Sequence, residues 1–133
     1  MKSLNKLSAL VLVLIISAIN AAAATITDER GLVYNILTEP TGDESGTCEV
    51  GDNKSYEKQP EVVIPESILV DEATYHVVGV GQSAFANNSS ITKFDLSGCS
   101  QLQSIGRRAF DGCSYLTSVG DLGKCSQLQS IGH

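Results

Sequence analysis

The chain has 133 residues, 42% hydrophobic and 18% charged, which suits one small globular unit and is too apolar for a disordered polymer. Its net charge is −6 and it has no basic cluster. That argues against nucleic acid as a partner, because such affinity comes from Lys and Arg neutralising phosphates.

The first predicted element lies outside the fold. Lys2 and Lys6 flank the start of an apolar run, Leu7 to Ile19, and Ala21 to Ala24 then supply small side chains. A charged, an apolar and a small-residue region in that order predict a secretory signal over residues 1–24, cleaved before Thr25. The run is 13 residues long, short of the ~20 that a bilayer-crossing helix needs. No membrane segment is therefore expected after cleavage, and the mature chain is expected outside the cell or on its surface.

Residues 25–76 form the next unit. They carry 12 Asp/Glu against 3 Lys/Arg, a net −9, and all three prolines, Pro40, Pro60 and Pro65. Short β-branched or alternating runs predict strands near Gly31 to Leu37, Thr47 to Val50, Glu61 to Ile64 and Thr74 to Val80, separated by turn-rich stretches. This unit is expected to be a small β-rich cap, since the first unit of a repeat stack otherwise exposes its core.

Residues 77–133 carry a net +1 and repeat. Cys99 to Gly106 recurs residue for residue as Cys125 to Gly132, at an offset of 26. Ala84-Phe85 recurs as Ala109-Phe110 and Val80-Gly81 as Ile105-Gly106, both at 25, and the extra residue is assigned to Gly120. A period of 25 to 26 falls in the leucine-rich-repeat range. Ile91, Phe94, Leu96, Cys99 and Leu102 follow the spacing L-x-x-L-x-L-x-x-C-x-x-L. The predicted repeat core is Val80, Phe85, Ile91, Phe94, Leu96, Cys99, Leu102, Ile105, Phe110, Cys113, Leu116, Val119, Leu122, Cys125, Leu128 and Ile131. Phe110 is expected to matter more to stability than Phe85, whose copy is imperfect and next to the cap. The fold expected is a β-rich α/β solenoid, a stack of about two to three leucine-rich coils behind the cap.

The segment Ile105 to Val119, IGRRAFDGCSYLTSV, closely resembles the BspA-type leucine-rich repeat, whose units read roughly I-G-x-x-A-F-x-G-C-x-x-L-x-x-V. Val80 to Phe94 is a looser copy, with Asn88 in place of the Cys and Ile91 in place of the Leu. The resemblance covers about 55 residues well, and the strands of residues 25–76 resemble the leader that precedes the first repeat in such proteins. It implies a secreted or cell-surface protein that adheres to host or neighbouring-cell proteins.

Other chemistry finds weak support. Cys48, Cys99, Cys113 and Cys125 are expected to be free buried thiols, three of them in repeat register; the best disulfide alternative is Cys99 with Cys125. There is no C-x-x-C, His76 has no partner at ligand spacing, and Asp43, Glu44 and Asp52 form no D-x-D-x-D-G loop. No serine sits in a G-x-S-x-G elbow. No catalytic, metal or cofactor site is expected. Asn53, Asn87 and Asn88 head sequons, and Asn88 is expected to turn inward.

The expected function is non-enzymatic protein binding by outward strand residues, Thr92, Lys93 and Asp95, then Thr117, Ser118 and Asp121. An enzyme with an unrecognised site and a truncated repeat fragment are the alternatives. The last copy reaches Ile131-Gly132-His133 without a following Ala-Phe. It is therefore expected to self-associate through an open final coil or to fray from about Asp121.

Overall fold

The computed structural model describes residues 24–132. The expected signal segment lies outside the described residues. The strands in chain order are β1 (Thr25–Thr27), β2 (Val33–Thr38), β3 (Gly46–Val50), β4 (Glu61–Val63), β5 (Ser67–Val70), β6 (Ala73–Val80), β7 (Lys93–Asp95), β8 (Ser104–Ile105) and β9 (Ser130–Ile131). The fold is a β-rich repeat fold. An α/β reading does not hold: among the described residues the only helical element is a 3-10 turn, Leu122–Lys124. The return segments cannot form helix, because Ser83, Asn87 and Arg108 take left-handed backbone angles (φ 58°, 61° and 57°) a few residues apart. β1 and β5 carry no signal long enough to have been expected as strands.

A seven-stranded sheet runs in the order β1-β2-β3-β6-β8-β9, with β5 also on β6. β1, β2 and β3 pair antiparallel. From β3 onward the path turns parallel: β3 to β6, β6 to β8 and β8 to β9. Val80 lies opposite Ile105 and Ile105 opposite Ile131, so the sequence offsets of 25 and 26 are also spatial registers. Val50 lies opposite Val80, which carries the same register upstream of the recognisable repeats. A second small sheet pairs β4 with β7 in parallel, Val62 opposite Phe94, and Lys93 bridges on to Ser118. The boundary expected at 76/77 falls inside β6.

The glycine after each strand is explained by close backbone approach. A Cβ on Gly106 would lie 2.6 Å from the Gln82 nitrogen, and one on Gly132 2.5 Å from the Arg107 nitrogen. Each copy rides on the one before it, and only glycine leaves room. Gly120, the extra residue, has φ 86° and packs against Asp95, where a Cβ would collide with the carboxylate.

Side chains from both sheets meet in one core. Phe85 packs edge-on to Phe94 at 4.7 Å and stacks on Phe110 at 5.9 Å, while Phe94 tilts onto Phe110 at 4.9 Å. Val80, Phe85, Ile91, Phe94, Leu96, Cys99, Leu102, Ile105, Cys113 and Cys125 are buried. Phe110, Leu116, Leu122 and Leu128 are half-buried against them. Val119 is half-buried too. Ile131 is not a core residue: it is 56% exposed, since nothing among the described residues lies over it. The relative weight of the two phenylalanines also reverses. Phe85, flanked by a copy on each side, is fully buried, and Phe110 is not.

The N-terminal hairpin is fastened to this stack by charge-assisted bonds. Asp28 Oδ1 accepts from the backbone nitrogens of Arg30 and Leu32 (2.8 and 3.0 Å), which shapes the β1–β2 turn. Asp28 Oδ2 holds the Arg30 guanidinium (3.0 Å), and Arg30 Nη1 donates to the Val63 carbonyl at 2.7 Å. The turn is thereby tied to the end of β4.

Candidate functional site

The outward row beside β4 and β7 is assembled by parallel pairing. Glu61 lies opposite Lys93 and Val63 opposite Asp95, and Lys93 bridges to Ser118. Thr117 joins Thr92 through two bonds to the Thr92 carbonyl, from its nitrogen (2.8 Å) and its hydroxyl (3.0 Å). Lys93, Thr117 and Ser118 are exposed, and Thr92 and Asp95 are half-buried. Lys93 Nζ reaches Glu61 at 3.9 Å in an exposed ion pair. Hydrogen bonding from Ser97 holds the Asp95 carboxyl below the usual carboxylate range, so it is anionic at neutral pH. The row offers a cation, an anion, two threonines and a serine at strand spacing, which suits polar protein recognition more than a small molecule.

Asp121 does not continue this row. Gly120 turns the chain, and the Asp121 carboxylate instead accepts from Gly123 N at 2.8 Å and caps the 3-10 turn. Sequence reasoning in turn missed Glu61 and the 57%-exposed Val63, which share the row from within the expected cap. The usable signal was Val62-Val63-Ile64-Pro65, whose alternation matches that of Phe94 and Leu96.

The cysteines form a different set of contacts. All four are free and buried. Cys99 Sγ donates to the Ile64 carbonyl (3.5 Å), Cys113 Sγ to that of Phe85 (3.0 Å) and Cys125 Sγ to that of Leu96 (3.7 Å). Each acceptor belongs to the preceding copy. Asn88 takes the Cys113 position and bonds the same way, its amide donating to the Asn53 and Tyr56 carbonyls (3.2 and 2.8 Å). Its Oδ1 also accepts from the nitrogens of Ser90 and Ile91. Burial pushes the Cys48 and Cys99 thiols up to about 12 and raises those of Cys113 and Cys125. Thiols held protonated in this way are poor nucleophiles and poor metal ligands at neutral pH.

The remaining candidates are not gathered into a reactive centre. His76 Nδ1 lies 3.3 Å from Gln101 Nε2. Among the described residues no group of three His, Cys, Asp or Glu is placed to hold a metal ion. Glu44 sits in a tight turn with Thr41, whereas Asp52 is engaged by the nitrogen and Nζ of Lys54. Asn53 is buried and its amide binds Val33 and Gly51, so of the three sequon asparagines only Asn87 is exposed. No helix among the described residues is long and apolar enough to cross a membrane.

No known family model matches the chain, and no curated protein sequence does. The structure is similar to a leucine-rich repeat protein from Bacteroides capillosus ATCC 29799 (TM-score 0.55, 21% identity), over 72% of this chain and 64% of that one. This chain therefore spans less than two-thirds of that protein, and the likeness is one of fold. A leucine rich cell surface protein from Faecalibacterium prausnitzii A2-165 matches at a TM-score of 0.45 with 19% identity, over 80% of this chain and 32% of that one. That second likeness is too loose to carry an argument.

Proposed function

We propose that the chain is an exported, non-enzymatic leucine-rich-repeat protein of the BspA type that binds a protein partner through the row Thr92, Lys93, Asp95, Thr117 and Ser118, extended by Glu61 and Val63. The observation that carries this reading is the parallel register of Glu61, Lys93 and Ser118, which aligns outward polar side chains from three successive segments. Export rests on Lys2, Lys6 and the Leu7 to Ile19 run. The partner class is a protein at the surface of host or neighbouring cells.

The same register supports a solenoid whose first coil begins at Gly46, inside the acidic leader. In that coil Val50 stands where later coils have Val80 and Ile105, and Tyr56 where they have Phe85 and Phe110. The hairpin β1–β2, tied by Arg30, is then the cap.

The row is small and polar, below the ~800 Å² per partner of a stable interface, so single-site binding is weak and is reinforced by multivalent display. The test is adhesion of beads coated with the purified chain to intact cells, before and after the cells are stripped with protease. Lys93→Glu combined with Ser118→Arg should abolish adhesion, and Glu57→Ala, away from the row, should not. Protease-insensitive adhesion, or adhesion unchanged by the double variant, overturns the reading. N-terminal sequencing of exported chain should begin within two residues of Thr25.

A further inference from the structure

Beside the outward row the surface is concave. A pocket of about 560 Å³ lies between the β1–β2 turn, the end of β4 and β5, within the size range of ligand and side-chain sites. Every wall comes from residues 28–74, so the pocket is built wholly inside the acidic unit. Its lining is largely apolar, with Val63, Pro65, Ile68 and Leu69. Val63 is 57% exposed, although Val62 and Ile64 on either side of it are buried. Val63 also belongs to the row, so pocket and row are continuous.

Three charged side chains line the pocket as well. Asp28 and Arg30 are taken up by each other at 3.0 Å, and Arg30 also donates to the Val63 carbonyl and the Tyr34 hydroxyl. Glu29 is exposed and forms no hydrogen bond or ion pair among the described residues. One uncompensated carboxylate therefore stands beside apolar surface, in a unit of net charge −9. Lysine and arginine side chains fit such a site, because they lay an aliphatic stem on apolar surface and keep the cation at a polar rim. An acidic side chain would be repelled by Glu29 and by the unit as a whole. A purely apolar one would strip water from Glu29 and give it no partner.

We infer that the pocket takes a lysine or arginine side chain of the protein that docks on the row, its stem on Val63, Pro65 and Leu69 and its charge at Glu29. This rests on the reading that the row binds a protein, and it specifies that protein as one with a basic docking face. An anchor seated in a pocket carries far more binding energy than the polar contacts around it, and arginine is among the residues most often found in that role. Attraction between the acidic unit and a basic face also speeds encounter.

Methyl NMR of the purified chain tests the pocket without any cell. Titration with N-acetyl-arginine amide should shift the methyl signals of Val63, Ile68 and Leu69 saturably, and N-acetyl-glutamate amide should not. Raising the ionic strength from about 0.05 M to about 0.5 M should weaken the arginine effect several-fold, as screening of an exposed charge requires. Glu29→Gln keeps the shape, removes the charge and should weaken it at least about fivefold. Glu57→Gln, an exposed acid outside the pocket, should leave it unchanged. In the bead assay Glu29→Gln should lower adhesion. Arginine shifts that depend on Glu29, together with adhesion that survives Lys93→Glu with Ser118→Arg, would fail the row and support the pocket. No shift with the arginine probe, an equal shift with the glutamate probe, or a shift undiminished by salt or by Glu29→Gln overturns the proposal, whatever the beads do.

Discussion

Residues 105–119 and residues 46–64 pair with their neighbours in matching register while sharing almost no sequence. In the first, Cys113 donates to the carbonyl of Phe85; in the second, Tyr56 offers the carbonyl that Asn88 takes. Val50 meets Val80 as Val80 meets Ile105, and Val62 meets Phe94 beneath the outward row. The difference between the segments lies in side-chain identity, not in backbone register. In both segments an apolar residue stands opposite an apolar residue, and Asn88 and Cys113 each aim a buried donor at a carbonyl of the preceding segment. Many residue types meet those demands, so matching register does not require matching sequence.

The comparison can be broken most severely at the aromatic stack. Phe85→Ala should cost about 3–5 kcal/mol, because a fully buried ring packed on Phe94 and Phe110 leaves a cavity. Phe110→Ala should cost roughly half as much by the same scale, since one side of Phe110 is already open. Urea unfolding of both variants measures the order, and an equal or reversed cost would mean that the end face is covered in solution.

Next in size is the donor shared by Asn88 and Cys113. Asn88→Ala should cost about 1–3 kcal/mol, because it removes the partner of the buried Tyr56 carbonyl and of the Ile91 nitrogen. Asn88→Cys keeps a donor at the position and should recover part of that loss. Thermal melts of the two variants decide whether the donor or the asparagine itself matters; identical melts would favour the asparagine.

A pH titration sharpens the same point. The thiols of Cys48 and Cys99 are pushed up to about 12 from 9.0, and the Tyr75 hydroxyl up to about 12 from 10.0, in each case first by burial. The unfolded chain loses these protons at lower pH than the folded one. Stability is therefore fully present below pH 9 and falls between about pH 9 and pH 12, with each group contributing at most ~1.4 kcal/mol per pH unit. Native protein at pH 8 should resist alkylation, and denatured protein should titrate four thiols per chain without reductant.

The smallest expected effect is on the outward row. Lys93→Ala removes an exposed pair with Glu61 and should change stability by less than ~0.5 kcal/mol. The same variant should weaken adhesion, which separates a binding residue from a structural one.

From Val80 onward the register was legible because three copies lie close in sequence and identical octapeptides mark the period. The outward placement of Lys93 and Asp95 followed from alternation about Phe94. Asp121 was misplaced because one inserted glycine shifts every later side chain, and its turn depends on contact with Asp95. Ile131 was misjudged for a related reason: its sequence context equals that of Ile105, and burial depends on what lies over a residue rather than on its neighbours in the chain.

Local pattern thus determined the period, the strand faces and the inward Cys and Asn positions, because each of these is set by the spacing of side chains along one backbone. Only the tertiary structure decided that β3 and β4 align with the repeats, that Glu61 and Val63 join the outward row, and that Arg30 ties the hairpin to β4. Those features arise between segments about 30 residues apart, such as Arg30 and Val63 or Val50 and Val80. Pairing through backbone groups common to every residue leaves almost no mark on residue identity.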